Sequence, residues 1–238
     1  MRKDPGMVIG REDALRITEA IFMLTSEFNR VFSLNSLRVL TGDYYGDAVN
    51  WLIENGLATR VNDRYLRVTV PRLRLLAVAG GELVVRHVDD LSWSEFEEFI
   101  SFTLNQAGYQ TLRGVRLTVG GVRGEFDVIG YRGDVFMVIE AKHWLSISVG
   151  ELRRIVEKHV GKVEMLANDW ARFMRKVKLK VDHEVYVYPL VVTLKAPQMQ
   201  VIDNVPIVAS YQLSNFLDGF DMARDSFLHF KTREMHLG

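Results

Sequence analysis

Residues 124–144 read GEFDVIGYRGDVFMVIEAKHW, and the way this stretch turns back on itself decides the fold. Two apolar runs flank the polar, glycine-containing reversal Tyr131-Arg132-Gly133-Asp134, the pattern of an antiparallel hairpin. With the turn centred between Arg132 and Gly133, Glu125 opposes Glu140 and Asp127 opposes Val138. Asp127 and Glu140 then become diagonal neighbours on one face, roughly 7 Å apart at Cα. Two carboxylates at that separation can share one hard divalent cation. Strand alternation places Lys142 on the face of Glu140 and turns Ala141 toward the opposite layer. A run as apolar as VFMVIEAK belongs inside a sheet, where a carboxylate and a lysine are costly unless paired or bound to metal. The hairpin asks for a ligand.

Before it, SWSEFEEFISFTLNQAGYQT (residues 92–111) carries Phe96, Phe99, Ile100, Thr103, Leu104 and Ala107 on one stripe and stops at Gly108, as an amphipathic helix does. GVRLTVGG (114–121) reads as a strand leading into the hairpin. After it come a helix pattern within residues 140–167, the apolar strand YPLVVTL (188–194) and the segment VPIVASYQLSNFLDGF (205–220).

A helix acid, a hairpin acid and E-x-K on an apolar strand, followed by helix and strand, resemble the PD-(D/E)xK nuclease superfamily. Its signature falls here on Asp127 and on Glu140-Ala141-Lys142, and Glu97 matches the acid of the first helix. The likeness spans residues 92–218 and is similar to the core of Mrr-type restriction enzymes and archaeal Holliday-junction resolvases. One departure is Phe126, which stands where a proline often precedes the first acid. The resemblance implies an α/β (α+β overall) architecture: a restriction-endonuclease-like mixed β-sheet flanked by helices. It also implies Mg²⁺- or Mn²⁺-dependent hydrolysis of phosphodiester bonds in DNA. The metal would be held by Asp127, Glu140 and the Ala141 carbonyl, with Glu97 joining directly or through water. It would lower the pKa of a bound water and offset charge on the transition state, with Lys142 beside that water or the scissile phosphate.

Beside the signature, Arg154, Lys158 and Lys162 recur every four residues, a helical stripe suited to a phosphate backbone. A second basic group comprises Arg172, Arg175, Lys176, Lys178 and Lys180. Bland readings stand beside other residues: Glu125 as a solvated acid or an added ligand, Glu95 and Glu98 as surface partners, His143 as structural, and Ser146 and Ser148 as helix caps.

The amino-terminal part reads differently. Residues 11–28 place Leu15, Ile17, Ala20, Ile21, Leu24 and Phe28 at helical spacing; a short helix follows through Leu40, and a third covers Tyr44 to Asn55, ended by Gly56. LATRV, NDR and YLRVT then form two short strands around a turn. Three helices followed by a hairpin resemble a winged helix over residues 10–70, which implies DNA contact through Tyr44, Tyr45, Asn50, Arg60 and Arg64. Asp43, Asp47 and Glu54, with no Lys or Arg on the third helix, fit a protein–protein or dimerisation module as well. The expected organisation is a winged-helix-like domain over 1–75, a connector over 76–91 and the nuclease-like domain over 92–238.

Composition sets outer limits. Of 238 residues, 48% are hydrophobic and 25% charged, as in ordinary globular chains. Thirty basic and thirty acidic residues cancel, so nucleic-acid affinity has to come from charge arrangement. The absence of cysteine excludes disulfides, thiolate metal sites and a cysteine nucleophile. No phosphate-binding glycine motif is present. No signal segment or membrane span is read, so a cytoplasmic protein without membrane contact is expected. The partner expected is nucleic acid, with DNA favoured, and a homodimer would suit cleavage of both strands. The other readings are a catalytically silent nuclease-fold DNA-binding or scaffold protein, and a winged-helix transcriptional regulator.

Overall fold

Apolar periodicity and turn chemistry sort the chain into helices and two sheets. The computed structural model describes residues 9–42, 45–79, 86–87, 90–119, 122–143, 147–181 and 183–232. Asp43, Tyr44 and Ser146, all named above, lie outside the described residues. Contacts divide the chain into two units, Met1–Phe99 and Ile100–Gly238, and the division falls within one helix, α5 (Trp93–Gln106).

The first unit contains α1 (Arg11–Leu24), β1 (Val31–Ser33), α2 (Leu34–Thr41), α3 (Tyr45–Glu54), β2 (Ala58–Asn62), β3 (Tyr65–Val68) and α4 (Arg72–Ala79). The helices turn Ile17, Ile21, Phe22, Leu37, Ala48 and Leu52 inward; of the stripe read over 11–28, Ile17 and Ile21 are buried, whereas Phe28 lies beyond the end of α1 and is exposed. Ser33 caps α2 by accepting from the Asn35 and Ser36 N–H groups. The sequence reading passes from residue 28 straight to the second helix, but the chain forms β1 between them. This strand pairs with β3 through Phe32↔Leu66 and completes a three-stranded antiparallel sheet of order β1-β3-β2. Three residues with one buried position carry too little periodicity to announce a strand; the neighbouring hairpin supplies the missing hydrogen bonds.

One correction concerns Glu95, expected at the surface. Its carboxylate is 1% exposed: it accepts from Arg72 at 2.8 Å and from the Ser92 N–H at 3.0 Å, while Ser92 Oγ accepts from the Glu95 N–H at 3.1 Å. This reciprocal capping box starts α5, and the buried arginine is what draws the acid inward. Glu98 does pair near the surface, with Arg30.

The second unit is a seven-stranded mixed sheet flanked by helices, in the arrangement of a restriction-endonuclease-like core. Its strands are β4 (Gln110–Val119), β5 (Val122–Arg132), β6 (Val135–Lys142), β7 (Tyr186–Thr193), β8 (Val201–Ile202), β9 (Val205–Ala209) and β10 (Phe230–Lys231). The order is β4-β5-β6-β7-β9-β8, with β10 on β7; β4-β5-β6 run antiparallel, and β6-β7-β9 run parallel. Between β6 and β7 come α6 (Val149–Asn168) and α7 (Trp170–Val177), and α8 (Leu213–Ala223) follows β9. Ser148 caps α6 through the Glu151 N–H, as read from the sequence. Helices α6 and α7 cover one sheet face, packing Val163, Leu166, Trp170 and Phe173 on Leu117, Phe126, Ile129, Phe136 and Val138. Among the described residues no helix is long and apolar enough to cross a membrane.

Candidate functional site

The site is built at the far end of the β5-β6 hairpin, and the register there needs correcting. Gly133 takes a positive φ of 57° as the first central residue of a two-residue turn, so the hairpin centres between Gly133 and Asp134, one step later than the sequence suggested. The pairs are Arg132↔Val135, Gly130↔Met137 and Val128↔Ile139. Continuing that register sets Asp127 directly across from Glu140, where a diagonal was expected, and removes Glu125 from that position. The shift amounts to two residues in pairing, so side-chain parity survives and both acids stay on one face.

Asp127 occupies an irregular rung. The β4-β5 ladder passes from Arg113↔Val128 to Val115↔Phe126 with no Gly114↔Asp127 bridge, and Gly114 carries a φ of 58°. Phe126 and Ile129, three apart, both enter the same apolar cluster, so strand parity slips by one between them. The Asp127 carboxylate takes up backbone valence, accepting the Ala141 N–H at 2.8 Å. Burial pushes its pKa up; the Ala141 hydrogen bond opposes this, and the nearby Glu140 charge adds to it.

Glu140 is met by cations on both oxygens. Oε1 accepts from Lys142 Nζ at 2.7 Å; Oε2 accepts from Lys162 Nζ and faces His159 Nδ1 at 3.4 Å. Burial alone would raise its pKa, but the interactions with His159, Lys142 and Lys162 outweigh that and hold the carboxyl well below the usual range. His159 is 1% exposed, and its Nε2 lies 2.8 Å from the Val138 carbonyl, which can only accept; Nε2 therefore carries a proton. Sequence reasoning missed this residue. The available signal was a histidine within the buried α6 stripe Leu152, Val156, Val163 and Leu166, three residues before Lys162.

Glu140, Lys142, Ile155, Lys158 and Lys162 line a recess of about 490 Å³. Of the basic stripe, Lys158 and Lys162 reach this recess, while Arg154 is exposed on α6. Glu125 points its carboxylate to Arg116 at 3.0 Å, and its backbone carbonyl accepts from Lys162 at 3.3 Å. Glu97 is half-buried on α5, in the first unit. Arg60 on β2 and Arg64 in the β2-β3 turn are exposed.

The donor set suits a hard divalent cation in its chemistry: two carboxylates drawn together across the hairpin, one of them with its pKa raised by burial and by the other's charge. Among the described residues, no group of three or more His, Asp or Glu side chains is arranged to hold a metal ion. A cation would have to be held by two carboxylates completed by a carbonyl and by water, and Lys142 and Lys162 would have to give up part of Glu140.

No family model matches this chain, and no curated protein matches it. Among solved structures it is similar to protein VC1899 from Vibrio cholerae, at 12% identity and a TM-score of 0.39, covering 91% of this chain and 53% of that one. It is similar to Can2 from Sulfobacillus thermosulfidooxidans, solved in complex with cyclic tetra-adenylate, at 13% identity and a TM-score of 0.34, covering 89% and 53%. The protein of unknown function AF1548 aligns at 16% identity and a TM-score of 0.30, over 48% of this chain and 57% of that one. The chain thus spans little more than half the length of each.

Proposed function

We propose that the second unit is a metal-dependent nuclease of the PD-(D/E)xK type, hydrolysing phosphodiester bonds in DNA. The observation that carries this reading is the opposition of Asp127 and Glu140 across β5-β6, with Lys142 on Glu140 and Lys158 and Lys162 lining the same recess. Asp127, Glu140 and the Ala141 carbonyl would hold Mg²⁺ or Mn²⁺, with water completing the set. The ion would supply an activated water and charge stabilisation. Lys142 orients Glu140 and offers its ammonium to the phosphate; Lys158 and Lys162, with Arg154 along the helix, bind the phosphate backbone. His159 holds Glu140 from behind, its Nε2–H fixed on the Val138 carbonyl.

In the same proposal residues 1–75 form a winged-helix-like domain whose exposed Arg60 and Arg64 meet DNA or a partner, and residues 92–238 form the nuclease domain. A homodimer would bring two sites to a duplex, and the setting would be cytoplasmic.

The test is incubation of the protein with plasmid, single strands and a four-way junction, with and without Mg²⁺ or Mn²⁺. Cleavage is expected with metal, and Asp127→Ala, Glu140→Ala and Lys142→Ala should each lower it by at least about 100-fold. Cleavage that survives Asp127→Ala combined with Glu140→Ala sinks the reading. One observation favours a second reading: both Glu140 oxygens are already engaged by lysines, as in a binding-only descendant of such an enzyme. A Mn²⁺ titration separates the two, because the silent form takes up no ion.

A further inference from the structure

The reaction above makes no use of the second basic group. Arg172, Arg175 and Lys176 stand at i, i+3 and i+4 of α7, on one face. The opposite face is locked into the core: Trp170 packs edge-on against Phe136 at 4.8 Å and against Phe173 at 5.0 Å, and Phe173 and Met174 are buried. Arg175 and Lys176, in the last turn, complement the helix dipole, but Arg172 at i−3 and i−4 from them adds like-charge repulsion on the same face, so helix stability does not account for gathering all three there.

Across a recess of about 500 Å³ these three face Arg116, Leu117 and Thr118 of the edge strand β4. Acids do not balance the four cations. Arg116 is 3.0 Å from Glu125, and Arg172 is 3.9 Å from Asp169, beyond hydrogen-bond reach. Arg175 and Lys176 have no ion-pair partner among the described residues, and both are exposed. Two of these cations would satisfy one phosphate. Four, spread over a helix and a strand, suit a run of phosphates.

The recess lies along the edge strand β4, where Leu117 turns to the sheet face of the acids and Arg116 and Thr118 alternate with it. Leu117 and Val138 share one apolar cluster with Trp170 and Phe173, and Glu140 follows Val138 by two residues. Lys162 connects the two places, donating to Glu140 and to the carbonyl of Glu125, the residue that holds Arg116. From Asp127 the recess is one strand away, about 5 Å, and about three residues along, roughly 10 Å.

We propose that this groove between α7 and β4 is a second phosphate-backbone site, gripping a nucleic-acid strand a few nucleotides from the phosphate at Asp127 and Glu140. The strand's placement relative to a scissile phosphate rests on the nuclease reading; the groove's affinity for a strand does not.

The test uses the full chain in EDTA, with fluorescence anisotropy of labelled single-stranded DNA of roughly 20 nucleotides and of RNA of the same sequence. R172A/R175A/K176A should weaken binding at least about tenfold near 0.1 M salt and flatten the log–log salt dependence by about 2, the share of three phosphate contacts on a single strand. The charge-preserving R172K/R175K/K176R should bind like the parent, with an unchanged melting temperature. K178A/K180A, removing neighbouring charge outside the groove, should stay within about twofold of the parent. The DNA and RNA arms identify which backbone the groove prefers.

An alanine triple that binds as the parent does, a K178A/K180A variant that weakens binding equally, or a parent that binds neither strand overturns the groove. Hydrolysis of bis(p-nitrophenyl) phosphate with Mn²⁺ reports the acids without a strand. Weakened binding in the triple with no hydrolysis by the parent sinks the nuclease reading and keeps the groove. Hydrolysis with unaltered binding does the reverse.

Discussion

In the first unit Arg72 and Glu95 form a buried pair at 2.8 Å; in the second, Glu140 is met by Lys142, Lys162 and His159. The first pair is nearly closed. One Glu95 oxygen takes Arg72 and the other the Ser92 N–H, and the guanidinium also donates to the Phe22 carbonyl at 3.0 Å while lying 4.0 Å over the Phe22 ring. One positive and one negative charge cancel, and neither side chain reaches appreciable solvent. Around Glu140, two carboxylates face two ammonium groups and a histidine, and the side chains of Glu140, Lys142 and Lys162 keep 14%, 15% and 26% of their exposure along an open recess. A pair that serves the fold turns most of its valences inward, with the buried Arg72 Nε left over, whereas a cluster poised for chemistry holds partners that a cation or a phosphate could replace.

Three changes would break or sharpen this contrast. The largest effect is expected at the closed pair: Arg72→Ala leaves the Glu95 charge buried and should cost about 3–5 kcal/mol of unfolding free energy. Arg72→Met with Glu95→Leu, which removes both charges, should recover most of that in denaturant melts. If the double variant is as unstable as the single one, Arg72–Glu95 does more than balance charge.

A smaller loss, about 1–3 kcal/mol, is expected from Glu140→Gln, because Lys142 and Lys162 can turn toward water in the recess. Its pH signature has a definite sign. A carboxyl whose pKa is lowered by folding contributes stability above the ordinary carboxylate range and loses it as pH falls through the lowered value, so the variant should show a flatter acid limb than the parent.

Asp127 has the opposite sign and the smallest effect. Its pKa is raised by burial and by Glu140, so its contribution is complete at low pH and is lost as pH rises through the raised value. Asp127→Asn keeps an acceptor for the Ala141 N–H and removes the charge, and should raise the melting temperature at neutral pH by about 2–4 °C. A lowered melting temperature would mean that the lysines, not burial, govern this carboxylate.

Much of the second unit is legible in the sequence, and the reason is parity. Asp127, Glu140 and Lys142 share a face under any even slip of the hairpin, so an error of one position in locating the turn leaves the inference about their grouping standing. The exact facing pair is not legible, since it depends on which residue takes the positive φ, and Gly133 competes with its polar neighbours for that role. His159 is hidden because a lone histidine on an apolar stripe is indistinguishable from a core histidine until a carboxylate is found opposite it. Glu95 is hidden for the converse reason: its partner Arg72 is far away in sequence, and local spacing points to solvent. In the first unit β1 escapes notice because a three-residue strand is defined by its neighbour's free edge rather than by its own pattern.

The skipped rung at Gly114 and Asp127 ties the chemistry to an address. An acid moved two places forward would replace Ile129 in a dry interior, and one moved two places back would meet Arg116 at the rim. Engineers who wish to relocate the carboxylate would therefore have to transplant the backbone defect along with it, and a regular ladder built at this point would evict the aspartate even with every side chain left in place.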